Sequence, residues 1–270
     1  MSRAFPVSRV LAVGGATSGR TALASRLAKA GCVAPFEEAD ELTEASGGDD
    51  DHLQRLVARR VTGEPLAWVT GATTFAGHRV RVHPGIYVPR GQSQALVRRA
   101  VDLLPSDGLA ADLCTGSGAI AVALGRARPK ARVVATDIDA AACRCASDNG
   151  VEVFAGHLAE PLPAELRGRF DVVLAVVPYV PSDELVFLPR DVRDNEPLLA
   201  LDGGPHGTCV LEQAVWASSG LLRPGGTLLL EVGGDQDGAL GGVLGDAGYG
   251  APRRLEDADG DLRGIEAKRA

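Results

Sequence analysis

Two hydrophobic periodicities divide the chain. Up to about Val69, apolar residues recur at helical spacing. The stretch 21–29 is rich in Ala and Leu, 35–45 mixes acidic with apolar residues, and 51–61 sets Leu53, Leu56, Val57 and Val61 on one face. The polar run 46–51 reads as a loop ending in a helix N-cap, and Gly63-Glu64-Pro65 as a helix stop. From 73 to 88 the pattern turns extended, with Gly77 and Pro84-Gly85 interrupting Phe75, Val80, Val82, Ile86 and Val88, which predicts a hairpin linker. Beyond it, short apolar runs at 109–113, 132–135, 151–154, 170–177 and 227–232 alternate with helical segments at 119–128, 140–148 and 210–222. Pro224-Gly225-Gly226 closes the last of these helices, 239–247 is a weaker helix, and weaker runs at 252–255 and 262–266 follow. Strands alternating with helices predict an α/β fold with a mostly parallel, Rossmann-like sheet covered on both faces. The expected organisation is a helical domain over 1–71, an extended linker over 72–90 and the α/β domain over 91–270.

Bulk properties narrow the partners more than the fold. Aromatic residues make up only 4% of the chain, so the core must rest on Ala, Val and Leu. A net charge of −7 argues against broad binding to nucleic acid or to an anionic membrane. Five scattered cysteines form no disulfide framework, and no Cys/His spacing predicts a metal site. No apolar run reaches membrane-spanning length, and the N-terminal residues lack a signal-peptide layout, so the expected compartment is the cytoplasm.

The chemistry gathers where the first parallel strand should meet its helix. Asp112-Leu113-Cys114-Thr115-Gly116-Ser117-Gly118 places two glycines where the backbone must turn and a ligand must approach. The third glycine of the dinucleotide fingerprint is missing, and a carboxylate leads into the loop instead. That suits S-adenosylmethionine (SAM), whose amino-acid end carries an ammonium and which has no pyrophosphate. The next strand ends at Asp137, at the spacing expected of a carboxylate that accepts from ribose hydroxyls; the alternative is that Asp137 caps the helix starting near Asp139. His157, in the loop after the third strand, is expected at the adenine edge, with a lone surface histidine as the alternative. Cys114, Thr115, Ile138 and Leu158 complete the expected cofactor set.

With these motifs in place the chain resembles the protein-(glutamine-N5) methyltransferases that modify peptide-chain release factors. The resemblance runs from about Leu53 to Glu231. It is carried by Arg59-Arg60-Val61-Thr62-Gly63-Glu64-Pro65-Leu66, Val88-Pro89-Arg90, the 112–118 loop, Glu196-Pro197, Ala200-Leu201-Asp202-Gly203-Gly204, Gly207 and Leu230-Glu231-Val232-Gly233. It implies a class I methyltransferase fold, SAM as cofactor and methyl transfer to nitrogen. The family's Asn-Pro-Pro-Tyr motif, whose Asn grips the acceptor amide, stands here as Val176-Val177-Pro178-Tyr179. Valine offers no hydrogen bond, and a buried amide facing it loses a partner at a cost of roughly 1–3 kcal/mol. Ser93-Gln94 replaces the family's Thr-Glu, and His157 stands where an acidic residue is usual.

Val176, Pro178 and Tyr179 are therefore the expected catalytic positions, and Pro89, Arg90, Tyr179, Glu184 and Glu196 the expected substrate contacts. Loop carboxylates such as Glu184 and Glu196 suit a cationic or guanidinium group, with solvated loop charges as the alternative reading. With the Asn lost, the expected acceptor is a small-molecule nitrogen of amino-acid or guanidine type. Beside that reading stand a release-factor glutamine and a non-catalytic SAM-binding protein. A small-molecule or protein acceptor is thus the expected partner; membrane and nucleic acid are not, and the chain fixes no oligomeric state. Near the N-terminus, Gly14-Gly15-Ala16-Thr17-Ser18-Gly19-Arg20-Thr21 follows the apolar run 10–13 and imitates a phosphate loop with Arg in place of Lys. It reads as a loop capping a helix at Thr17 or Ser18, with ATP hydrolysis the weaker function.

Overall fold

The computed structural model describes residues 13–257 and 259–270, residues 13–18 by backbone alone. The chain divides into two compact units, Met1–Thr70 and Gly71–Ala270.

The first unit holds helices α1 (Val13–Lys29), α2 (Pro35–Ala45), α3 (Asp50–Val61) and α4 (Leu66–Thr70). Asp49 caps α3 by accepting from the His52 amide at 2.8 Å, and Arg59 and Arg60 occupy its last turn, where cations suit the helix dipole. Ala24, Leu27, Leu42, Leu56, Val57 and Val69 form the apolar centre. Within it Arg60 Nε donates to Glu38 Oε2 at 2.6 Å, so two buried charges neutralise each other. The phosphate-loop imitation at 14–21 is not a loop: α1 runs through it. Once Ala24 and Leu27 anchor the helix in the core, each further turn adds backbone bonds at little cost, even across glycine. The run 10–12 lies outside the described residues.

The second unit opens with strands β1 (Ala72–Phe75) and β2 (His78–Arg81). They are joined by Ala76 and Gly77 at φ 49° and 78°, the left-handed pair a tight hairpin requires. Pairing stops at Arg81, short of the expected 88. Helix α5 (Gln94–Leu103), absent from the sequence reading, buries Leu96, Val97 and Ala100. Then follow β3 (Leu109–Leu113), α6 (Ala119–Ala127), β4 (Arg132–Asp137), α7 (Ala140–Asp148), β5 (Glu152–Ala155), β6 (Phe170–Ala175) and α8 (Arg190–Asn195). The chain ends with α9 (Cys209–Leu221), β7 (Leu222–Leu230), α10 (Gln236–Ala239), α11 (Gly241–Asp246), β8 (Arg253–Glu256) and β9 (Leu262–Lys268). Pro224-Gly225-Gly226 therefore lies inside β7 rather than closing a helix; the ladder jumps from Phe170↔Leu222 to Val172↔Thr227 and sets these residues aside. The weak helix expected over 239–247 is broken between α10 and α11.

The sheet order is β5-β4-β3-β6-β7-β9-β8, parallel from β5 to β7, with β9 antiparallel to both neighbours. Side chains alternate across it. Val172 and Leu174 pack with Leu96, Val97 and Leu124 on one face, Val173 and Ala175 with Leu211, Val215 and Leu244 on the other. This is the expected Rossmann-like α/β fold. The chain leaves β3 toward β4 on one side and returns to β6 on the other, so a crevice opens at the carboxyl ends of β3 and β6.

Candidate active site

The loop after β3 is built around a buried acid. Asp112 is 1% exposed; its Oδ2 accepts from Thr115 Oγ1 at 2.6 Å, and its Oδ1 has no hydrogen-bond partner among the described residues. Burial pushes its carboxyl up to about 7. Burial also lifts the Cys114 thiol well above its ordinary range, which leaves it unreactive. The loop turns through positive φ at Cys114, Gly116 and Gly118. A Cβ on Gly116 would meet open space, whereas one on Gly118 (φ 81°) would stand 2.9 Å from Val151 Cγ2 and 3.1 Å from Ala146 Cβ. Gly118→Ala should therefore destabilise the protein by about 2–3 kcal/mol, from left-handed strain and overpacking together. Denaturant melts check this, and Gly116→Ala should show the strain without the clash.

Asp137, ending β4, ties that loop down. Its Oδ2 accepts from the Gly116 amide at 2.8 Å and its Oδ1 from the Asp139 amide at 2.9 Å. Asp139, not Asp137, caps α7 by accepting from the Ala141 amide at 2.7 Å. Burial raises the Asp137 carboxyl, partly offset by these amide donors. Each of its oxygens keeps a second lone pair.

The other wall grows from the end of β6. Val176, Pro178 and Tyr179 follow the strand and line the cleft, and Val180 joins Asp202 in an isolated parallel bridge. Gln236 Nε2 donates to the Tyr179 carbonyl at 2.8 Å. Gly207 (φ 70°) lies so close that a Cβ there would fall 2.2 Å from that same carbonyl, which explains the glycine. The Tyr179 hydroxyl donates to Glu231 Oε1 at 3.1 Å, and Gln92 Nε2 donates to both, at 2.8 and 3.0 Å. Burial and then the Glu231 charge raise the Tyr179 phenol far above its ordinary range, so it stays protonated and serves as a donor. Burial likewise pushes the neighbouring Tyr87 phenol up to about 12.

One cleft of about 720 Å³ joins the two walls. Of the expected site residues it brings together Cys114, Gly116, Asp137, Ile138, His157 and Leu158 with Arg90, Val176, Pro178 and Tyr179. Pro89 and Thr115 line a small pocket next to it that also touches Val176. Asp112 and Gly118 stand behind the loop, shaping it. Glu184 is exposed and outside the cleft. Glu196 is buried and committed: Arg90 donates to its Oε1 at 2.5 Å and the Val88 amide to its Oε2 at 3.3 Å. Gln92, Tyr87, Glu231 and Gln236 were not singled out from sequence; Glu231 appears there only inside a strand motif, and none of the others carries a local signal.

The site suits a zwitterionic, nucleoside-bearing ligand. A glycine that opens space and a carboxylate at the next strand end face the cleft, and beneath the loop lies a buried acid oxygen without a hydrogen-bond partner among the described residues. No family model matches the chain. It is 39% identical over 208 residues to the release factor glutamine methyltransferase of Moorella thermoacetica, covering 74% of this chain and 72% of that one. The chain belongs to the release factor glutamine methyltransferase family. The family's enzyme from Gloeobacter violaceus is also 39% identical, over 76% of each chain. In fold, the T. thermophilus 16S rRNA N2 G1207 methyltransferase in complex with AdoMet and guanosine superposes with a TM-score of 0.52 at 20% identity, over 74% of this chain and 50% of that one. This member of the release factor glutamine methyltransferase family is a SAM-dependent N-methyltransferase with the class I fold. Among the described residues no helix is long and apolar enough to cross a membrane.

Proposed function

We propose that this methyltransferase modifies the side-chain amide of a glutamine in a release factor. The observation that carries this reading is the 39% identity, over about three quarters of the chain, to enzymes named for that reaction. Neither of those relatives is named for a free amino acid or guanidine compound, so the small-molecule acceptor expected from Val176 loses its footing. The cleft mouth agrees with a protein acceptor. Leu198 and Leu199 line it while 60% exposed, and Phe187, nearby in sequence, is 81% exposed. Large apolar side chains left in water beside a cleft are the mark of a surface that another macromolecule covers. Glu184 and Glu196, which were to hold a guanidinium, stand outside the cleft or are already paired with Arg90.

In this reading the cofactor lies between the β3 loop and the β4 end. Asp112 takes its ammonium, Gly116 gives it room, and Asp137 accepts from its ribose hydroxyls. Ile138, His157 and Leu158 border the adenine. Bound SAM supplies a methyl group on a positively charged sulfur, which leaves with the electron pair of the broken bond. The protein's task is then orientation: Pro178 and Tyr179 form the acceptor wall. Tyr179 is not a base, because its proton is held by burial and by Glu231. The nitrogen releases its proton to solvent after transfer. This reading places the protein in the cytoplasm, where translation occurs.

A transfer assay tests the proposal. Release factor should be methylated, and a copy with the acceptor glutamine changed to asparagine should not. Equal labelling of both would overturn the assignment of the acceptor.

A further inference from the structure

The acceptor wall lacks the polar side chain that an amide substrate requires at Val176, yet a second amide-bearing side chain stands in the same cleft. Gln92, at the start of the turn that leads into α5, lines it together with Val176, Pro178 and Tyr179. Its orientation is decided by its neighbours. The Tyr179 hydroxyl spends its hydrogen on Glu231 Oε1, so both groups next to the Gln92 amide present lone pairs to it. Only the nitrogen of Gln92 can face them, and Nε2 does, at 2.8 and 3.0 Å. Both its hydrogens are thereby used. The side-chain oxygen, Oε1, remains as the acceptor arm of an amide that two bonds hold still. Glu231 is 1% exposed and Gln236 donates to the Tyr179 carbonyl, so both groups that anchor Gln92 are themselves held.

We infer that Gln92 is a substrate-positioning residue: its Oε1 accepts an N–H of the acceptor carboxamide and aims the nitrogen lone pair, the work an Asn at position 176 would otherwise do. The inference rests on the proposed glutamine acceptor. It assigns to Gln92 binding and orientation, with no proton or bond transferred to it. An oxygen held by two bonds loses little freedom when it engages a substrate, which is why a network of three side chains serves better than one exposed glutamine.

A double-mutant cycle on release-factor methylation tests it, with Gln92→Met and Val176→Asn made singly and together. Met keeps the volume of Gln and removes its oxygen. Gln92→Met should lower kcat/KM for release factor between about 10- and 100-fold, mainly in kcat, with SAM affinity unchanged. In the Val176→Asn background the same change should cost less than about threefold, because the new amide takes over the contact. Equal losses in both backgrounds would show that Gln92 only braces Tyr179, and no loss in either would show that it does nothing for the acceptor; both overturn the inference. Calorimetric SAM binding reports whether each variant is folded. Should Val176→Asn fail that check, Gln92→Glu in the parent decides: it keeps an acceptor oxygen but sets a second carboxylate against Glu231, so a displaced side chain should cost as much as Met. Activity equal to the parent would then refute the tether. If the parent itself labels free glutamine and not release factor, the acceptor reading has failed and this inference with it; an active parent with an indifferent Gln92 fails the inference alone.

Discussion

Asp112→Asn is expected to weaken SAM binding about 10- to 100-fold, the worth of a charged hydrogen bond, while stabilising the SAM-free protein above neutral pH. The two effects share one cause. Asp112 is buried beneath the β3 loop, with one oxygen held by Thr115 and the other without a partner among the described residues. Burial raises its carboxyl from 3.8 to about 7 in the folded protein. The folded state therefore binds this proton more tightly than the unfolded chain does. Its stabilising contribution is complete below the unfolded value and is lost as pH rises through 7, a change of up to about 4 kcal/mol. Asn has the same shape, accepts from Thr115 and never ionises, so the variant should escape that loss. In the proposed complex, the charge that destabilises the free protein is the one that meets the ammonium of SAM. In the parent, the rise in melting temperature on adding SAM should grow between about pH 6 and pH 8, and in Asp112→Asn it should be small and flat with pH. Thermal melts of both proteins across that range, with and without SAM, check this. A parent whose SAM shift is independent of pH would refute it.

Asp137→Ala is expected to be costlier still for SAM, at about 100-fold or more, because it removes two things together. The carboxylate accepts from the Gly116 and Asp139 amides, so it fixes the left-handed glycine of the loop and the start of α7. In the proposed complex it also meets the ribose. Alanine leaves both amides without their acceptor and the ribose hydroxyls without a partner. Asp137→Asn should fall between, since one oxygen remains and the amide nitrogen must face a donor. Titration calorimetry measures all three proteins. SAM binding by Asp137→Ala equal to that of the parent would sink the ribose assignment.

These two residues were legible in the sequence because their signals are local. A carboxylate entering a glycine loop, and another at the next strand end, follow from the βαβ repeat and need no knowledge of distant contacts. The acceptor wall was legible only in part. Pro178 and Tyr179 could be placed at the end of β6, but Gln92, Glu231 and Gln236 come from three other segments and meet only in the folded sheet. Loop carboxylates were overvalued for the same reason. Nothing near Glu196 in sequence reveals that Arg90 neutralises it, because the pair closes across the fold. Helix α5 was legible too, since Leu96, Val97 and Ala100 recur at helical spacing, but it spans only ten residues directly after the extended linker. The glycine-rich stretch at 14–21 shows the opposite error, a motif read as a loop in a segment that α1 incorporates.

The proposed reaction is tested most directly by tandem mass spectrometry of release factor after incubation with the parent protein and isotopically labelled SAM, with free glutamine and free arginine in parallel. Label on one glutamine side-chain nitrogen of release factor, and none on the free compounds, is the expected result. Label on a free amino acid with release factor unmodified would contradict it, and would return the lost Asn at Val176 to the meaning it first had, a changed substrate.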